Sequence, residues 1–151
     1  MTFDAKPCFS DTYAQSRQKF LSAATPHGDI HSFLHPEKGP DGGDLYLDMA
    51  VIGDAEANAG LVLISGTHGP EGFCGAGCQI ALLESGLIDE FSDLRVVLIH
   101  AHNPYGFAWL RRTDHENIDL NRNYYDFSKT FTPHPGYDMI FCGHTLCRES
   151  S

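Results

Sequence analysis

Two short, uninterrupted apolar runs stand out along the chain: Leu61-Val62-Leu63-Ile64, and Val96-Val97-Leu98-Ile99 inside the segment Arg95 to His100. Apolar runs of this length without polar alternation predict interior strands covered on both faces. Between them a helix is expected from about Gly72, with Phe73, Ala76, Ile80, Leu83 and Leu87 as its buried stripe and Gly86 near its end. Strand, helix and strand in that order predict a right-handed crossover and a parallel pair.

Upstream the period changes. Leu45, Leu47, Met49 and Val51 alternate with Tyr46, Asp48 and Ala50, the pattern of a half-buried strand, and Gly39 to Gly43 form a turn cluster before it. Ile30 to Leu34 fit a short partner strand, so an antiparallel hairpin or meander is expected at a sheet edge. Nearer the N-terminus Tyr13, Arg17, Phe20, Leu21 and Ala24 recur at helical spacing, with Ser10 placed to cap the helix and Pro26 to close it. The expected fold class is α/β, a mixed and mostly parallel sheet with helices on both faces. From Asn103 onward asparagine, glycine, proline and arginine dominate, and the last thirty residues hold few long periodic segments.

Composition narrows the class. A chain of 151 residues that is 42% hydrophobic and 20% charged is one ordinary soluble domain with room for a core. A net charge of −10 argues against nucleic acid or an anionic membrane as partner. No apolar run reaches bilayer-spanning length, and MTFDAKPCFSD has neither the basic flank nor the apolar core of a secretion signal. A cytoplasmic protein is expected, its five cysteines reduced. A sharper reading pairs Cys74-x3-Cys78 with Cys142-x4-Cys147 as a structural zinc site. Against it, Cys74 and Cys78 fall inside the expected helix, where cysteine acts as a small buried hydrophobe.

The chemistry-bearing residues cluster just beyond the carboxyl ends of the two apolar strands, where open α/β sheets bind ligands. After the first strand comes SGTHGPEGFCG, Ser65 to Gly75. His68 and Glu71 are three residues apart at a helix start, on one face, and histidine with carboxylate is a common zinc-binding combination. Gly66, Gly69 and Gly72 let the backbone turn off the strand and keep the space above it open. The plainer reading of the segment is a surface turn in which Glu71 only favours the helix N-terminus. After the second strand comes HNPYGFAWLRRTDHENIDLNRNY, residues 102–124, with Asn103-Pro104-x-Gly106 as a turn, then three arginines and several asparagines. Guanidinium and amide groups beside a metal point to a pocket for a carboxylate-bearing substrate. A solvated loop balancing the acidic surface is the plainer alternative here.

Taken in order, H-G-x-E, N-P-x-G and R-x6-D-L-N-R-N resemble the zinc carboxypeptidase superfamily, including its bacterial carboxypeptidase-like branch of unknown substrate. The resemblance covers roughly Leu45 to Tyr125. It implies a fold of the zinc-carboxypeptidase, phosphorylase/hydrolase-like type and a zinc cofactor held by His68 and Glu71. It further implies that Arg112, with the adjacent Arg111 as its rival, polarises the scissile carbonyl and steadies the oxyanion, and that Asn121 and Arg122 grip the substrate's terminal carboxylate. The implied partner is a small peptide. The related aspartoacylase and succinylglutamate desuccinylase group extends this to an N-acyl amino acid, so amide hydrolysis is the safer common term. Zinc in such sites lowers the pKa of bound water to about 7 and acts as a Lewis acid. Losing an oxyanion donor costs on the order of a hundredfold in rate.

The family pattern also needs a second histidine ligand and a glutamate base, both well downstream of D-L-N-R-N. His100, His102, His134 and His144 are the histidines left to consider as the third ligand, each in poor context. Residues 1–151 are therefore expected to be the N-terminal, truncated part of a single catalytic domain, weakly active or inactive, with apolar surface exposed where the rest would pack. The alternatives are a non-catalytic remnant that binds carboxylates and, behind it, the cysteine-zinc module. His27, His31 and His35 recur every four residues, but Pro26, Gly28 and Pro36 argue against a helix that would align them.

Overall fold

The computed structural model describes residues 3–130, apart from 92, 125 and 127. Helix α1 (Tyr13–Ala24) leads into strands β1 (Gly28–Lys38) and β2 (Asp44–Ile52). There follow β3 (Ala59–Ile64), α2 (Gly69–Glu84), β4 (Leu94–His100) and the short α3 (Pro104–Ala108). The strands form one sheet in the order β1-β2-β4-β3. β3 and β4 are parallel through the α2 crossover, whereas β1 with β2 and β2 with β4 are antiparallel. The fold is α/β with a mixed sheet, and among the described residues one ladder of the three is parallel. No helix among them is long and apolar enough to cross a membrane.

Local signals explain most element ends. Thr12, not Ser10, caps α1: its backbone is extended and its hydroxyl accepts from the Gln15 N–H at 3.2 Å. α2 starts at Gly69, earlier than expected, because Pro70 fits the first helical turn, where an N–H has no partner to lose. β1 outruns Leu34 because it is an edge strand, where Pro36 is tolerated beside a register irregularity between Leu34 and Lys38.

Both long helices pack on one face of the sheet. Phe20 and Ala24 of α1 and Ile80 and Leu83 of α2 meet Ala50, Val96 and Leu98 in the main core. Leu45 is buried as expected, but from Asp48 onward the assignment expected for β2 is reversed. Ala50 and Asp48, read as the outward set, are fully buried beneath the helices, while Met49 and Val51 lie half-exposed on the far face. Asp48 tolerates burial because Arg17 forks onto it, Nε to Oδ2 at 2.8 Å and Nη2 to Oδ1 at 3.1 Å, and the Ser32 hydroxyl also donates to it. A second correction concerns the thiols: Cys74 and Cys78 are exposed on α2, and Cys8 is the buried one.

The far face is largely apolar, with Asp29 and His31 at its β1 edge, and it is bare among the described residues. Pairing registers align Phe33 with Leu47, Met49 with Ile99 and Ile64, and Val51 with Val97 and Val62. Residues paired across a ladder share a face. Val62 is 56%, Ile64 53% and Phe33 54% exposed. β3, expected as an interior strand, is thus an edge strand with one open face, and the exposed apolar surface expected from the sequence is present.

Candidate functional site

The parallel pairing of β3 and β4 sets their carboxyl ends side by side, and hydrogen bonds carry the register beyond the strands. Ser65 N donates to Ile99 O, His102 N to Ser65 O and Asn103 N to Gly66 O, each at 2.9 Å. Gly66 has φ +70, a conformation that favours glycine. Gly69 donates its N–H to Arg111 O at 2.9 Å, and a Cβ there would lie 1.9 Å from Gly106 O. The glycine after His68 is therefore a packing requirement between the two loops. Asn103 is a structural clasp: buried, it accepts from Gly106 N at 2.8 Å to cap α3, and its amide donates to Thr67 O at 3.4 Å.

On this platform one carboxylate gathers the polar groups. Asp119 Oδ1 lies 2.9 Å from His68 Nε2, and its Oδ2 accepts from Arg112 Nε at 2.8 Å. The Asn121 N–H adds a third bond, 3.0 Å from Oδ1. His68, bonded first among these causes, and then Arg112 and Asn121 hold the Asp119 carboxyl down at about 2. On the other side of the imidazole, His68 Nδ1 is 3.6 Å from Glu71 Oε1. His68 immediately precedes α2, and Glu71 follows in its first turn.

Of the residues expected at the site, His68, Glu71 and Arg112 are brought together, and Asn121 joins through its backbone. Arg122 stands apart. Its guanidinium donates to the Asn121 carbonyl at 2.9 Å, and it has no ion-pair partner among the described residues. The two adjacent arginines separate clearly: Arg111 donates to Thr113 and Asn117 and lies 5.9 Å over the Tyr105 ring, not on Asp119. Asp119, the carboxylate that joins His68 and Arg112, was not among the residues expected at the site. Its signal was the aspartate of D-L-N-R-N, but nothing in the local pattern shows that it turns back to a histidine 51 residues upstream.

The remaining histidines divide as follows. His100 is buried on the helix face, stacked 4.8 Å from Phe20 and bonded to the Ser16 hydroxyl, so it does not approach Glu71. His102 stays on the rim, its Nδ1 3.3 Å from the Thr67 hydroxyl. His27 pairs with Asp89, and His31 and His35 belong to β1, a strand and not a helix. His134, His144, Cys142 and Cys147 lie outside the described residues.

The donor chemistry bears on zinc. A carboxylate accepting from Nε2–H leaves Nδ1 as the lone-pair atom, the arrangement in which outer carboxylates orient ligating histidines. Two ligands about 2.0–2.1 Å from a tetrahedral zinc lie about 3.4 Å apart. The 3.6 Å between His68 Nδ1 and Glu71 Oε1 fits that separation. The pair would supply two ligands; no group of three or more His, Cys, Asp or Glu among the described residues is arranged to hold a metal.

In comparison with known proteins, a family model described as "Protein of unknown function (DUF2817)" matches residues 9–149. No curated protein matches the chain.

Proposed function

The chain belongs to the DUF2817 family, a membership that assigns no chemistry by itself, and on the cluster around Asp119 we propose a zinc-dependent hydrolase of carboxypeptidase type. It cleaves a peptide or amide bond next to a free carboxylate, in a small peptide or an N-acyl amino acid. One observation carries the reading: the two oxygens of Asp119 hold His68 and Arg112 at 2.9 and 2.8 Å. A single carboxylate thereby aims the His68 Nδ1 toward Glu71 and positions a guanidinium beside the same point.

His68 and Glu71 would hold the zinc, which when bound supplies Lewis acidity and an activated water. Arg112 keeps its Nε on Asp119 while half its side chain faces solvent, so its outer N–H groups are available to a substrate carbonyl oxygen. Arg122, exposed and without an acidic partner among the described residues, suits a substrate carboxylate, with the Asn121 amide as a directional second contact. A cytoplasmic setting belongs to the same proposal and accords with the free cysteines. A second reading, a carboxylate-binding module without turnover, is favoured by the exposed Arg122 guanidinium, which has no acidic partner among the described residues.

The test combines metal analysis with turnover of N-acyl amino acids and short peptides by the full chain. One zinc per chain is expected, lost in His68→Ala and bound about 10–100-fold more weakly in Asp119→Asn, because the oriented imidazole loses its anchor. Arg112→Ala is expected to cut turnover about a hundredfold with zinc retained. Zinc retained at full affinity in His68→Ala overturns the proposal. Carboxylate binding that needs Arg122, with neither zinc nor turnover, selects the second reading.

A further inference from the structure

The proposed hydrolase site uses only the first turn of α2. Further along the same helix Cys74 and Cys78 stand four residues apart, and both are exposed. Residues at that spacing are neighbours on one face, with Cβ atoms about 5–6 Å apart. α2 has little freedom to rotate and bury them, because its other faces are pinned by glycines against their neighbours. A Cβ on Gly72 would lie 3.1 Å from Gly66 Cα, on Gly75 3.0 Å from Ser65 Cβ, and on Gly77 2.6 Å from the Phe9 ring. Gln79 adds two bonds from its amide, to Leu63 O at 2.9 Å and Ile99 O at 3.1 Å. Ile80 and Leu83 fill the core. The thiol pair occupies the face that this packing leaves to solvent.

Distance decides what the pair can do. A disulfide needs Cβ atoms about 3.5–4.5 Å apart, closer than one helical turn sets them. A single atom inserted between the sulfurs, with bonds of about 2.3 Å to each, spans the gap without moving the backbone. Burial first, and then the neighbouring Cys74, push the Cys78 thiol up. Among the described residues no third His, Cys, Asp or Glu joins the pair, so the described geometry offers two sulfurs. Two soft thiolates suit a soft ion that accepts two ligands.

We propose that Cys74 and Cys78 form a two-thiolate clamp on the outer face of α2 for one soft monovalent metal ion of the Cu(I) class. It is separate from the His68 and Glu71 pair and stands whether or not the hydrolase reading does.

The experiment is an anaerobic titration of the reduced full chain with Cu(I) in competition with a coloured Cu(I) chelator, with intact mass under native conditions as the second readout. The expected result is one ion per chain, with affinity falling more than about tenfold in Cys74→Ser and in Cys78→Ser alone. Both positions are exposed, and unchanged circular dichroism spectra would show that the variants fold. A double Cys142→Ser, Cys147→Ser variant is expected to keep the site, as is His68→Ala. Full affinity in either single variant of α2, or its loss in the Cys142/Cys147 double variant, overturns the clamp. A disulfide between positions 74 and 78 formed by mild oxidation of the folded chain would overturn the distance argument behind it.

Discussion

His100 ends β4 with its ring stacked 4.8 Å from that of Phe20 and its Nε2 3.0 Å from the Ser16 hydroxyl. It is fully buried, and burial lowers its pKa to about 4. The folded chain therefore holds it neutral, while an unfolded chain protonates it near the ordinary value of 6.5. Between those values the unfolded state binds the extra proton, so stability falls as the pH drops from about 6.5 to about 4. The whole shift corresponds to a loss on the order of 3 kcal/mol. Urea midpoints of wild type and His100→Gln between pH 7 and pH 4 check this: the wild type is expected to lose the more stability, and parallel slopes would refute it. His68 has the same side chain in other company. Its partner is the ionised Asp119, and it sits at the N-terminal end of α2. That the two histidines would diverge was not legible from sequence, where each simply follows an apolar strand. Burial of one ring is decided by a helix about 80 residues away in the chain, and local periodicity carries no trace of it.

Among the elements, the loop from β3 into α2 shows how much the glycines in H-G-P-E-G decide. Their presence was legible as a tight turn; what they press against was not. Gly69→Ala puts a methyl group 1.9 Å from Gly106 O and 2.7 Å from Arg111 O, both backbone atoms that side-chain motion cannot relieve. A cost of about 3 kcal/mol is expected, with loss of metal affinity as His68 shifts. Gly42→Ala is the contrast: its φ is +81 but nothing lies within 4 Å, so only the backbone cost of about 1 kcal/mol applies. Thermal unfolding of the two variants tests the ranking; equal losses would show that the two loops are not locked together. The neighbouring Asn103-Pro104-x-Gly106, expected as a turn, instead opens the short helix α3, since asparagine and proline have local preferences at helix starts. Its second bond, from the Asn103 amide to Thr67 O, joins two loops and is a tertiary fact.

Across the whole molecule, the sheet has one face under α1 and α2 and one face that no described residue covers. Val62→Thr with Ile64→Thr keeps β-branched side chains on the exposed face of β3. The pair is expected to change stability by no more than about 0.5 kcal/mol per site, while lowering both binding of a hydrophobic dye and concentration-dependent association. A loss of several kcal/mol would mean that the face is covered in solution. The unbroken apolar run of β3 was legible as a strand, but apolar content on both faces does not say which face finds a cover. By itself the sequence determined the order of the four strands with α1 and α2, the parallel crossover, and a histidine and glutamate sharing a helix start, because each rests on spacing within a segment or on the order of such segments. Only the tertiary structure decided that Asp48 and Ala50 face inward, that the two cysteines face out, and that Asp119 closes on His68 and Arg112. Those outcomes depend on which distant surfaces meet, and the energy of such meetings is shared between partners that the chain keeps far apart.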